Sequence, residues 1–396
     1  MTSAAHILPE LIRIPSVNPM GRADCDPALC GEERLSAYLS AWLEKRSISF
    51  RVQPVSAGRY NIIACLPASS PSAKTMLWEV HQDTVPTDTM TIPPFGGALR
   101  DGKIHGRGAC DVKGSMASML AALERLALCA ANRPRNLMVA FTVDEEHTFL
   151  GVQKFAADLD SILPQGWSRP SLAIVAEPTG LDMVVSHKGV VRWKIQVGGR
   201  ACHSSMPWEG VNAVFGAAPV LEAIESLANR LAAGKSDPVL GPPTLSVGMI
   251  RGGIAPNVVP DSCEIVVDRR LIPGESAEDA TRQLRDALHA VRKPGISVMV
   301  EDPWLKCPPL PQSVPAVLLD RLRQSGIRHW MAQSTRSVAF GTDASTLAAA
   351  GIPAFVFGPG SIDQAHTKDE WIAVEPLELA VSILVDWALL PLSDDI

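Results

Sequence analysis

The chain has 396 residues, 46% hydrophobic and 20% charged, with a formal net charge of −6; at roughly 150 residues per domain this is about two to three domains with a sizeable core, not a disordered chain. The acidic balance and the lack of a basic block exclude a nucleic-acid phosphate footprint, and no apolar run approaches the roughly 18–20 residues of a membrane span. The first residues, MTSAAHILPELIRIPSVNP, carry neither a basic leader nor a long apolar segment, so a cytoplasmic location is expected.

In chain order, residues 31–46 set Leu35, Leu39 and Leu43 at helical spacing with charges between them. Residues 60–66 and 75–80 read as strands, 115–131 as a buried helix, and 137–143 and 172–176 as further strands. These strands are apolar without alternation, which points to an α/β sheet covered by helices on both faces. From 184 to 300 the pattern changes: strand 190–199, helix 212–234, strands 244–253 and 262–271, helix 276–292 and strand 295–301. That order, β-α-β-β-α-β, is the ferredoxin-like split unit. A proline-rich stretch at 307–315 leads back to the first domain, and 338–358 resumes strand and loop patterns. Eight cysteines are scattered without a Cys-x-x-Cys pair, so neither a zinc ribbon nor a dithiol redox site is indicated and reduced, buried thiols are expected.

The residues able to carry chemistry lie at the ends of predicted strands, where open α/β sheets build their sites. In WEVHQDTVP (78–86), His81 follows a strand and Asp83 stands two residues on, placed to receive the ring N–H and fix its tautomer. In HGRGACDVKG (105–114), glycines permit a tight turn that presents Asp111 at the start of a buried helix. The glycine-lysine spacing of a phosphate loop is absent there. Cys110 with His105 as its base is an alternative nucleophile. Asp144, Glu145 and Glu146 end an apolar strand and repel one another unless cations compensate them; a solvated acidic turn is the competing reading. Glu177 ends another apolar strand, and the loop GPGSIDQAH (358–366) closes on His366. Together these suit a dication such as zinc, and five side chains can hold two ions that share one carboxylate. Spacing alone leaves open which ligand goes to which ion. No Gly-x-Gly-x-x-Gly follows the first strand, which excludes a dinucleotide fingerprint.

In this order, from IPSVNP (14–19) to AHTKDEW (365–371), the motifs resemble the M20 family of co-catalytic metallopeptidases and deacylases, closest to its acetylornithine deacetylase and succinyl-diaminopimelate desuccinylase group. The resemblance implies a zinc-exopeptidase-like three-layer α/β/α catalytic domain (1–183 and 301–396). Into it is inserted a ferredoxin-like α+β lid and dimerisation domain (184–300). It implies two zinc ions, with cobalt as a substitute: His81 and Glu177 on one, Glu146 and His366 on the other, and Asp111, followed by a cis peptide, bridging both. Glu145 would be the general base and Asp83 would orient His81.

In the inserted domain, His203 of ACHSS (201–205) would reach across a homodimer to the partner's site. Asn257 and Arg270 would contact substrate, Arg270 anchoring its carboxylate, and Gly358 lies in the substrate loop. The implied activity is hydrolysis of the amide bond of a small N-acyl amino acid by a metal-bridging hydroxide. The alternatives are desuccinylase, M20 carboxypeptidase or dipeptidase action, and an inactive binding relative. Glu177-Pro178-Thr179, His187-Lys188-Gly189 and His203-Ser204-Ser205-x-Pro207 lean toward acetylornithine deacetylase. Glu79, His105 and the segment Gly341-Thr342-Asp343-Ala344 depart from the family pattern.

Overall fold

The computed structural model describes residues 2–70, 73–129, 133–327 and 334–390. The chain forms two compact units: Met1–Ser186 with Gln312–Arg336 and Thr342–Ile396, and His187–Pro311 with Ser337–Gly341.

The first unit is organised by an eight-stranded sheet in the order Ser49–Ser56, Arg59–Leu66, Asn136–Thr142, Thr75–His81, Pro170–Val175, Ala354–Val356, Met183–His187 and Thr335–Val338. The four strands from Asn136–Thr142 to Ala354–Val356 are parallel neighbours. The Asn136–Thr142 and Thr75–His81 strands are buried at every position, which is why their sequence is apolar without alternation. Alternate residues nevertheless serve different layers. Met76, Trp78 and Val80 join a core with Leu35, Leu39 and the helices Ala4–Ile12, Lys113–Leu128 and Val374–Leu389. Leu77, Glu79 and His81 therefore point to the opposite face, where Leu150–Ile162 and Ala344–Ala349 pack together.

Lys113–Leu128 is the buried helix expected at 115–131; the expected residues 130 and 131 lie outside those described. Its run of Ala, Leu and Met combines high helix propensity with a surface that is apolar nearly all round. The sequence patterns miss Ala4–Ile12, which is capped by Ser3 and carries Pro9 inside, as well as Leu150–Ile162, Ala316–Ile327 and Val374–Leu389. No described helix is long and apolar enough to cross a membrane.

The second unit follows the predicted β-α-β-β-α-β order. Its antiparallel sheet runs Thr244–Gly252, Ser262–Leu271, Gly189–Gly198, Ser297–Val300, with Ala213–Ala232 and Ala277–His289 packed on one face. The Ser262–Leu271 strand alternates strictly, burying Cys263, Ile265, Val267, Arg269 and Leu271. Residues 301–311 stay with this unit because Leu305–Cys307 adds its own pairing to Gly189–Gly198.

The cysteines depart from expectation. Cys25 and Cys30 are joined in a disulfide, Cys129 is exposed and Cys202 half-buried. The turn in which the Cys30 N–H donates to the Asp26 carbonyl (3.0 Å) folds the loop back and brings the two Cα atoms to 6.4 Å, within bridging reach.

Candidate metal centre

Because four central strands run parallel, the loops leaving their carboxyl ends gather at one edge of the sheet. His81 ends Thr75–His81; Glu145 and Glu146 follow Asn136–Thr142; Glu177 follows Pro170–Val175; and Asp111 precedes the Lys113–Leu128 helix. His366 lies on the segment after Ala354–Val356, with φ +61°, and Asp144 beside the acidic pair has φ +68°. Left-handed backbone at non-glycine residues is strained and gathers at functional sites.

The side chains converge. His81 Nε2 lies 3.3 Å from Asp111 Oδ1 and 3.8 Å from Glu177 Oε1. His366 Nε2 lies 3.2 Å from Asp111 Oδ2 and 3.3 Å from Glu146 Oε2. Two potential metal-holding clusters result, His81–Asp111–Glu177 and Asp111–Glu146–His366, and each takes a different oxygen of Asp111. The Asp111–Val112 peptide is cis. A tetrahedral ion with N and O ligands at about 2.0–2.2 Å sets those ligands about 3.4 Å apart; three of the four histidine–carboxylate distances are 3.2–3.3 Å and the fourth is 3.8 Å. His81 Nε2, Asp111 Oδ1 and Glu146 Oε1 are buried without a hydrogen-bond partner, a costly arrangement that a cation resolves. The residues therefore fit two cations. His366 alone among the five is largely exposed, leaving that side open to water and substrate.

The electrostatics agree. Burial, reinforced by neighbouring carboxylates, pushes the Glu145, Glu146 and Glu177 carboxyls up. His366 is pushed up to about 11 by its contacts with Asp111 and Glu146. For His81, burial disfavours the charged ring, but Asp111 and Asp83 outweigh it and raise its pKa. For Asp111, burial is likewise outweighed, by His366 and His81, and its carboxyl is held low. The cluster is short of positive charge, which dications supply.

Asp83 does more than its spacing suggests. The His81 ring Nδ1 lies 3.0 Å from the Asp83 backbone carbonyl, while the nearer carboxylate oxygen is 3.6 Å away. The carboxylate instead accepts the backbone N–H groups of Glu145 and Glu146, each at 3.1 Å, and the Asn18 amide at 2.8 Å. One residue thus positions His81, Glu145 and Glu146 together. Asn18, which the sequence motifs do not single out, also donates to Asp144 at 2.9 Å. Gly358 is a glycine for steric reasons: a Cβ there would meet the Glu177 carbonyl and Ser115 Oγ, each at 2.5 Å.

Two departures from the family pattern meet in space. The Thr142 hydroxyl donates to Glu79 and also lies 3.3 Å from Asp343 Oδ2, on the same face as His81. Burial pushes Glu79 up to about 7 and raises Asp343, and the closeness of the two buried carboxyls disfavours ionising both. Cys110 is a poor nucleophile: burial, then Asp111 and Glu370, push its thiol far up, which suppresses the thiolate.

His203, Asn257 and Arg270 belong to the second unit. His203 is exposed on Cys202–His203, which pairs with Val258–Val259, and its Nδ1 lies 2.7 Å from Ser205 Oγ. Asn257 is exposed beside it, its carbonyl accepting the Ser204 N–H at 3.0 Å. The strand alternation separates the two adjacent arginines. Arg269 is buried toward the helices and paired with Glu275 at 2.7 Å, whereas half-buried Arg270 faces the other way and pairs with Asp268 at 2.8 Å.

The family model described as Peptidase family M20/M25/M40 matches residues 77–389, which include all five candidate ligands. The chain belongs to this family. The acetylornithine deacetylase of Proteus mirabilis is 32% identical over 381 residues, 93% of this chain and 92% of its own. That of Vibrio cholerae is 32% identical over 362 residues, 89% of this chain and 90% of its own. Among solved structures, an M20 family metallo-carboxypeptidase from Sulfolobus solfataricus shares the fold with a TM-score of 0.79 at 17% identity, covering 98% of this chain and 99% of its own. A dinuclear metal binding peptidase of the M20 family from Bacillus subtilis does so with a TM-score of 0.65 at 16% identity, covering 98% of each chain. The architecture of this M20 chain is thus a three-layer α/β/α unit with an inserted ferredoxin-like α+β unit.

Proposed function

We propose that this M20 hydrolase cleaves the amide bond of an N-acyl amino acid, as an acetylornithine deacetylase-like enzyme that works with two zinc ions. The observation that carries the reading is the pair of three-ligand clusters sharing Asp111, with Glu145 buried beside them. The two relatives at 32% identity over about nine-tenths of the chain support the substrate class.

His81 and Glu177 would hold one ion, Glu146 and His366 the other, and Asp111 both; the mixed imidazole and carboxylate donors suit zinc, with cobalt as a substitute. When bound, the ions lower the pKa of water and polarise the amide carbonyl. Glu145 takes the proton of the attacking water, holds it while the tetrahedral centre forms, and passes it to the departing amine nitrogen. Burial, reinforced by Glu177, raises its pKa above that of a free glutamate, the direction that helps it keep the proton between the two steps. Asp83 keeps Glu145 aimed by holding its N–H. His203 supplies a hydrogen bond to the carbonyl oxygen as charge develops, from the neighbouring subunit. Asn257 orients the substrate, Arg270 grips its carboxylate, and Gly358 leaves room in the substrate loop.

Arg270→Ala is accordingly expected to raise KM by about 10- to 100-fold, with a smaller effect on kcat, because a charge-assisted bidentate bond to a bound carboxylate is lost. Steady-state kinetics on N-acetyl amino acids measures the split. An unchanged KM would remove Arg270 from the substrate site.

We further propose a homodimer through the second unit. Thr244–Gly252 is an edge strand exposing Met249 and Ile250, Ile254 just after it is exposed, and Trp208 and Phe215 of the same unit are exposed as well. An exposed, apolar sheet edge is a pairing surface. Sedimentation is expected to show a dimer that Ile250→Lys weakens.

The experiment that tests the activity is removal and restoration of metal, assayed over N-acetyl, N-formyl and N-succinyl amino acids and simple dipeptides. The expected result is metal-dependent hydrolysis strongest on N-acetylornithine. Preference for the succinyl substrates or the dipeptides would replace the deacetylase reading with one of the alternatives, and full activity after chelation would overturn it altogether.

A further inference from the structure

The chain directly after His366 contains a buried carboxylate that the mechanism does not use. Glu370 is 0% exposed and gathers four donors. Its Oε2 accepts Arg107 Nη1 at 2.7 Å and the Gly108 N–H at 3.0 Å, and its Oε1 accepts the N–H groups of Cys110 at 2.8 Å and Asp111 at 3.0 Å. Its backbone carbonyl also accepts the Gly106 N–H at 3.0 Å. Register explains the placement. Trp371–Ala373 pairs antiparallel with Lys103–His105, Trp371 opposite His105, so Glu370 must face the turn that begins at Gly106.

The turn is shaped to receive it. Gly106 (φ +148°) and Gly108 (φ +81°) adopt backbone that other residues rarely take. A Cβ at Gly106 would meet Ile12 Cγ2 at 2.6 Å, and one at Gly108 would meet Thr84 Cγ2 at 2.8 Å. With those glycines, three backbone N–H groups converge on one carboxylate, the concave arrangement that binds anions.

We infer that Glu370 is a positioning residue of the proposed metal centre, a strut that sets Asp111 against His366. It bonds the main chain of Asp111 itself and belongs to the segment carrying His366, so it joins the two loops whose side chains stand 3.2 Å apart at Asp111 Oδ2 and His366 Nε2. It needs to act on both clusters, because Asp111 is their shared member. This inference rests on the two-metal reading. Outer groups that orient metal ligands cost about 10- to 100-fold in affinity when altered.

The test uses the whole chain, wild type and Glu370→Gln, stripped of metal and titrated with Co(II), reading the visible absorption of the bound ion and the affinity of each equivalent. Glutamine keeps the size but puts an NH2 where backbone N–H groups point. The expected result is that Glu370→Gln weakens both equivalents, at least one of them by 10-fold or more, and alters the Co(II) spectrum, below the melting temperature of the stripped variant. Activity is expected to return at raised metal concentration with KM unchanged. Glu370→Asp, which keeps the charge but withdraws it by a methylene, is expected to fall between the two, and it serves as the variant to read if glutamine prevents folding. Wild-type affinity and spectrum in the variants, with only a lower melting temperature, would reduce Glu370 to a structural residue and overturn the inference. A wild-type chain that takes up fewer than two equivalents would instead sink the two-metal reading itself.

Discussion

Glu145→Gln is expected to lower kcat by about 10²–10⁴-fold, the contribution of a positioned general base, while the protein retains its full complement of metal. The separation follows from the geometry. Glu145 lies next to Glu146 in sequence, yet the metal-holding clusters contain Glu146 and not Glu145. The Glu145 main chain is held by Asp83 Oδ1 at 3.1 Å, a bond that the substitution leaves in place. Glutamine preserves volume in a buried position and removes only the ability to take a proton. Turnover combined with metal analysis and the Co(II) spectrum measures both halves. A variant with normal kcat would strip Glu145 of its role, and one that lost metal as well would make it a ligand.

Chelation is expected to abolish turnover and to lower the melting temperature, with zinc or cobalt restoring both. The stability effect has a defined sign with pH. The folded chain raises the carboxyl pKa values of Glu145, Glu146 and Glu177 through burial and mutual repulsion. A raised folded pKa gives stability that is complete below the unfolded value and is lost as pH rises through the folded value. His366, pushed up to about 11, contributes in the same direction, whereas the lowered Asp111 contributes the opposite way at acid pH. At neutral pH the three glutamates therefore oppose folding unless cations neutralise them. Metal binding also requires deprotonated ligands. The difference in melting temperature between loaded and chelated protein should then widen as pH is raised from about 5 to about 8. Calorimetry of both forms across that range measures it; a difference that stays flat or narrows would contradict the cluster electrostatics. Asp111→Asn is expected to impair both ions together, because each cluster takes one of its oxygens.

Much of this molecule was readable in advance, and the reasons are local. The inserted unit was legible because half-buried strands alternate: Cys263, Ile265, Val267 and Leu271 mark one face of a single strand. The buried helix at Lys113–Leu128 was legible from its Ala, Leu and Met run. Val374–Leu389 was passed over even though Glu375, Glu378, Ser382 and Asp386 mark a narrow polar stripe at helical spacing, and Ala4–Ile12 was hidden by Pro9 within it. The cysteine reading failed at Cys25 and Cys30 because a turn, not a motif, brings them together.

Residue type and position in the loops beyond the apolar strands nominated His81, Asp111, Glu145, Glu146, Glu177 and His366 as a group, while their separate roles came only from the family resemblance. Which partners they meet was decided elsewhere. Asp111 offering one oxygen to each histidine, His81 resting on the carbonyl of Asp83 and not on its carboxylate, Glu79 meeting Asp343 across Thr142, and Glu370 gathering four donors are all encounters between segments far apart along the chain. Linear spacing encodes local periodicity and strand ends. Distances between such segments exist only once parallel strands are stacked in order, and sub-ångström differences there decide which oxygen faces which nitrogen.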